Sequence, residues 1–140
     1  MIIVDTGFWV ALINKKDAHH TRAAKVLSQI KEPLITTWPV ITETCYLVLQ
    51  RVGNKSQAQF MDKVAARKFR IFEMNVERSL RVSQLMRQYA DQPMELADAS
   101  LVVLAEHFGE RRILSTDQRD FNTYRWKNRE PFENLMFPTT

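Results

Sequence analysis

The chain opens on Met1-Ile-Ile-Val4, four apolar residues in a row that stop at Asp5, Thr6 and Gly7. A strand with one wet face alternates apolar and polar residues, whereas a short unbroken apolar run closed by turn formers suits a strand covered on both faces. Strands of that kind occupy parallel sheets, because the crossover helices that join them lie over the sheet. Three further runs read as strands, PLITT at 33–37, the alternating RIFEM at 70–74 and RRILST at 111–116, and the tail before Pro138 has room for one more short strand. The intervening segments are long enough to be helices. The expected fold is therefore α/β, a three-layer sandwich with a central parallel sheet of four to five strands flanked by helices.

The crossovers carry helical patterning. A helix is expected from about Phe8, then a break at Lys15–Asp17, then a second helix with Asp17 as N-cap and Ala24, Leu27 and Ile30 on its buried face. Pro39 suits the first turn of the helix that runs through VITETCYLVLQRV, and Gly53 closes it. Phe60, Met61 and Val64 mark a helix over 56–68, and Val82, Leu85, Met86 and Tyr89 mark another. After the break at Asp91-Gln-Pro93, MELADASLVVLAEHF forms a last long helix ending at Gly109. No repeat or linker interrupts the 140 residues, which read as a single domain over 1–140. No segment reaches the roughly eighteen uncharged apolar residues of a membrane span, so no membrane partner is expected. The lone cysteine, Cys45, forbids an internal disulfide and a cysteine-based zinc site, which makes the cytoplasm the expected compartment.

In open α/β sheets ligands bind beyond the carboxyl ends of the strands. The residues at those places here are acidic: Asp5 follows the first strand, Glu43 lies on the helix after the second, and Asp117 follows the fourth. Asp98 stands just past a proline-containing break, near a helix start, where it can face the same crevice. An aspartate after a strand also serves to cap the next helix, and both roles stay open for Asp5, Asp98 and Asp117. Glu43 is harder to explain structurally, because it falls in an otherwise apolar helical run where an unpaired buried carboxylate is costly. Carboxylates gathered in one crevice need a cation to offset their repulsion, and an oxygen-only donor set suits Mg²⁺ or Mn²⁺.

Other chemistries lack their residues. With glycines only at 7, 53 and 109, neither a GxGxxG fingerprint nor a P-loop can be written. There is no GxSxG elbow and no HExxH, and His19, His20 and His107 suit surface or capping roles. The net charge of +4 favours a polyanionic partner. In the tail, Arg119, Arg125, Lys127 and Arg129 interleave with Phe121, Tyr124 and Trp126, a pattern suited to tracking a phosphate backbone while stacking bases on Tyr124 and Trp126, although the same rings can equally close the core.

Taken in order, IIVDTGFWVALIN, TETCYLV, LADASLVVLA, ILSTDQRDF and REPFENL resemble the PIN domain, and within it the VapC-type toxins of bacterial and archaeal toxin–antitoxin pairs. The resemblance covers essentially the whole chain. It implies metal-dependent endoribonuclease activity, hydrolysing RNA phosphodiester bonds with Mg²⁺ or Mn²⁺ at Asp5, Glu43, Asp98 and Asp117. It also places Thr6 and Thr116 at the hydroxyl positions beside those acids, with Asp120 as a further acidic position. The partners it implies are an RNA substrate such as tRNA or rRNA, a small antitoxin and a second copy in a homodimer. A PIN-type RNA-processing nuclease outside any toxin pair, and a non-catalytic RNA-binding module, remain as alternatives.

Overall fold

The computed structural model describes residues 1–138. At its centre is β1 (Ile2–Val4), every residue of which is buried. It pairs in parallel with β2 (Leu34–Thr37) on one side, Ile3 opposite Ile35, and with β4 (Arg112–Leu114) on the other, Ile3 opposite Ile113. Outside β2 lies β3 (Arg70–Phe72), and outside β4 lies β7 (Glu133–Asn134). The sheet order is thus β3-β2-β1-β4-β7, five strands, all parallel. The chain steps outward from β1 to β3, then returns to lay β4 against the other edge of β1. Connections leave β1 and β4 in opposite directions, and a crevice opens beyond their carboxyl ends.

Helices flank this sheet: α1 (Thr6–Ile13) and α2 (His20–Gln29) after β1, α3 (Trp38–Arg51) and α4 (Asn54–Ala65) after β2, α5 (Ser79–Gln88) and α6 (Leu96–Phe108) after β3, and the short α7 (Gln118–Thr123) after β4. Helix α6 buries Ala97 and the whole run Ala99–Ala105, which explains why ASLVVLA, after Asp98, carries no charge around its full circumference. Its C-terminus is closed by Gly109 in the left-handed conformation, φ 65°, as the sequence indicates. Within the sheet Thr36 Oγ1 donates to the carbonyl of Val4 at 2.8 Å, and between sheet and helix the Thr37 and Ser100 hydroxyls meet at 2.6 Å, so the buried hydroxyls at the end of β2 are satisfied.

Several local expectations shift. Ala23, not Ala24, is the buried alanine of α2, and the face is completed by Val26, Leu27 and Ile30. Asp17 does not cap α2; its Oδ1 accepts from the amide of His19 at 2.8 Å, closing the preceding turn. Met61 is exposed while Phe60 is buried, and α4 starts at Asn54, directly after Gly53 at φ 136°. The third strand ends at Phe72 instead of continuing to residue 74. The tail forms β5 (Arg125–Trp126) and β6 (Glu130–Pro131), an antiparallel pair turning through Lys127 and Asn128 at positive φ, before β7 joins the main sheet. Arg81 on α5 grips Glu106 on α6 with two bonds of 2.8 Å, and Glu106 Oε2 accepts from the amide of Lys127 at 2.6 Å, which ties this hairpin to both helices. Among the described residues no helix is long and apolar enough to cross a membrane.

Candidate active site

The crevice beyond β1 and β4 is a cavity of about 350 Å³ whose walls include Asp5, Glu43, Asp98, Asp117 and Asp120. The four acids expected from the sequence each arrive on a different element. Asp5 ends β1 and caps α1, its Oδ1 accepting from the Thr6 amide at 2.7 Å. Glu43 lies half-buried on α3. Asp98 sits in the first turn of α6, where the helix dipole favours negative charge. Asp117 caps α7, accepting from the Asp120 amide at 3.0 Å. Capping and cavity lining therefore coincide at Asp5 and Asp117, because a helix N-terminus starting at a strand end places its capping carboxylate beside the crevice.

Burial and mutual repulsion set the electrostatics. Desolvation, followed by the charges of Glu43 and Asp117, pushes Asp5 up to about 6, while hydrogen bonds from Ser115 and the Thr6 amide act the other way. Desolvation and the neighbouring Asp5 push Asp98 up to about 8 against the opposing bond from Tyr124. Desolvation and Asp117 raise Asp120 as well. Among the described residues no lysine or arginine lines the cavity, and only at Asp120 does a nearby cation, Arg119, act the other way.

Several supporting contacts are invisible in the sequence. Ser115, fully buried, donates to Asp5 Oδ2 at 2.8 Å and accepts from the Asp117 amide at 2.9 Å, so one hydroxyl links two of the acids. The peptide of Ser115 is held in turn by Asn134 on β7: the Ser115 amide donates to Asn134 Oδ1 at 3.2 Å, and Asn134 Nδ2 donates to the Ser115 carbonyl at 2.9 Å. Tyr124 donates to Asp98 Oδ2 at 3.0 Å. Glu95, at the N-terminal boundary of α6, also lines the cavity, and Gln92 donates to Asp120 Oδ1.

The expected hydroxyl residues are both present. Thr6 and Thr116 line the cavity, and Thr6 Oγ1 is buried without a hydrogen-bond partner. Thr116 packs on Gly7 so closely that a Cβ at position 7 would stand 2.0 Å from Thr116 Oγ1, which explains a glycine in the first turn of α1. The tail residues divide. Tyr124 is 1% exposed and Trp126 9%, so the stacking of bases expected of them is not open to either ring; both close the core of a small domain instead. Arg125 spends its guanidinium on the carbonyls of Asn122, Thr123 and Tyr124, at the end of α7. Arg119 and Lys127 remain exposed.

The donors fit a hard divalent cation. They are all oxygens, the carboxyls of Asp5 and Asp98 are held above their ordinary range by burial and like charge, and an unpartnered hydroxyl, Thr6 Oγ1, lies among them. Among the described residues no three histidine, cysteine or acidic side chains already stand at ligand spacing, so a cation would draw the carboxylates inward.

This parallel sheet has known counterparts. The PIN domain family model matches residues 2–127, and the chain belongs to the PIN domain family. It is 26% identical over 124 residues, 89% of this chain and 92% of the relative, to Ribonuclease VapC26 of Mycobacterium tuberculosis (strain ATCC 25618 / H37Rv). Over 56 residues, 40% of this chain and 43% of the relative, it is 38% identical to the 23S rRNA-specific endonuclease VapC20 of M. tuberculosis (strain CDC 1551 / Oshkosh). The crystal structure of M. tuberculosis VapC20, described as a sarcin-ricin loop cleaving toxin, shares the fold with a TM-score of 0.80 at 21% identity, covering 85% of this chain and 92% of that one.

Proposed function

We propose that this protein is a Mg²⁺- or Mn²⁺-dependent endoribonuclease, the toxin of a toxin–antitoxin pair, acting in the cytoplasm on a structured RNA such as rRNA or tRNA. The observation that carries this reading is the convergence of Asp5, Glu43, Asp98 and Asp117 on one cavity, in a PIN-family chain similar along nearly its whole length to a VapC ribonuclease. Asp5 and Asp98 would hold the cation, with Glu43 and Asp117 completing the set and Thr6, Thr116 and Asp120 supporting it. A bound divalent ion supplies Lewis-acid polarisation of the scissile phosphate and a more acidic water. Glu43 or Asp117 would take the proton of the attacking water as the bond from phosphorus to the leaving ribose oxygen breaks. Ser115 keeps Asp5 and the Asp117 loop in register during that step. Exposed Arg119 and Lys127 offer phosphate contacts, which position RNA without reading its sequence.

The exposed apolar stripe of α3, formed by Trp38, Tyr46 and Leu49 and continued by Val52 just past its end, supports a homodimer. An acidic cavity without a compensating cation also suits a small antitoxin that inserts a basic side chain.

Incubating purified protein with total cellular RNA in Mg²⁺, Mn²⁺ or EDTA, and mapping the fragment ends, tests the reading. Discrete internal cuts that need the cation are expected. Cuts that persist in EDTA, or salt-sensitive RNA binding with no cleavage by folded, antitoxin-free protein, would overturn it.

A further inference from the structure

We propose that Tyr124 is a positioning residue for the cleavage reaction: its hydroxyl holds Oδ2 of Asp98 so that Oδ1 alone is presented to the cavity. The inference rests on the endoribonuclease reading above. Tyr124 Oη lies 3.0 Å from Asp98 Oδ2, while Oδ1 has no hydrogen bond to the protein among the described residues. One carboxylate oxygen is thereby committed to the protein and the other left for a ligand, which fixes the rotation of the carboxylate plane.

The tyrosine is built to do this. Its ring is 1% exposed and wedged edge-on between Phe121, centroids 5.3 Å apart, and Tyr89, centroids 5.1 Å apart. The hairpin that follows it is anchored by the Arg81–Glu106–Lys127 linkage. A donor that carries no charge orients Asp98 without competing as a cation for the site. Partners of this kind, which orient a ligand and touch neither metal nor substrate, typically change metal affinity by about 10–100-fold.

The test compares the wild-type protein with Tyr124→Phe and Tyr89→Phe. Tyr124→Phe keeps the ring and removes the bond to Asp98; Tyr89→Phe removes a hydroxyl from the same cluster that supports only the backbone, accepting from the Arg125 amide at 2.9 Å. Mn²⁺ titration calorimetry and steady-state RNA cleavage are measured on all three. Tyr124→Phe is expected to bind Mn²⁺ about tenfold more weakly and to lose kcat by a similar factor, with KM for RNA unchanged. Tyr89→Phe is expected to melt earlier yet bind Mn²⁺ as the wild type does. Wild-type Mn²⁺ affinity in Tyr124→Phe, or equal weakening in both variants, would overturn the assignment. A wild-type protein that neither binds Mn²⁺ nor cleaves would instead remove the nuclease reading, and this inference with it.

Discussion

Replacing Asp98 by asparagine should stabilise the cation-free protein, and should do so only above mildly acidic pH. The folded carboxyl titrates at about 8 against an ordinary value of 3.8. Between those limits the folded protein keeps a proton that the unfolded chain has released, so stability falls as pH rises, by up to about 1.4 kcal/mol per pH unit. From about pH 4 to about pH 7 the ceiling is about 4 kcal/mol, and because Asp98 is only partly buried, half of that, about 2 kcal/mol, is the working figure. Asparagine carries no titrating proton and keeps a side-chain oxygen to accept from Tyr124. At about pH 7 in EDTA the variant should therefore melt roughly 5–10 °C above wild type, with the difference fading towards about pH 4. Added Mn²⁺ should reverse the order, because wild type gains binding energy that the variant has lost. Scanning calorimetry at several pH values, in EDTA and in Mn²⁺, reads both effects. An Asp98→Asn variant that melts at or below wild type in EDTA at neutral pH, or a difference independent of pH, would refute the reasoning.

Other outcomes follow from the same geometry. Mn²⁺ affinity should rise steadily from about pH 5 to about pH 8, since binding must displace protons from Asp5 and Asp98, and calorimetry in buffers of different ionisation enthalpy should register their release. Gly7→Ala sets a methyl group against Thr116 and should cost about 1–3 kcal/mol in denaturant melts, with Thr116→Ser failing to relieve it and Thr116→Ala relieving most of it. Asn134→Ala frees the Ser115 peptide and should cost about 1–3 kcal/mol, while lowering the cleavage rate through Asp5 despite contributing no residue to the cavity.

How much of this is legible in the sequence depends on the scale of the feature. The central strands can be read because β1 is covered on both faces, and that burial forces an unbroken apolar run. The acids can be read because they interrupt or immediately follow such runs. Finer choices need three dimensions. Ser115 and Thr116 are both hydroxyl residues at the end of β4, and adjacent residues of an extended segment point opposite ways; only the register with Asp5 decides which one bonds it. The two-residue strands of the tail are too short for any period to show. Tyr124 and Trp126, interleaved with cations, have the pattern of a stacking surface, but a domain this small needs their area in its core. Asn134 lies 19 residues beyond its partner Ser115, a pairing made only when β7 docks on β4.

The most direct test of the central claim follows Mn²⁺ occupancy and RNA cleavage in the same samples, for wild type and for Asp98→Asn, with circular dichroism confirming that both are folded. The account predicts that wild-type cleavage rises in step with Mn²⁺ bound and that the variant loses both. An Asp98→Asn variant that cleaves as wild type does, or wild-type cleavage that ignores Mn²⁺ occupancy, would contradict it.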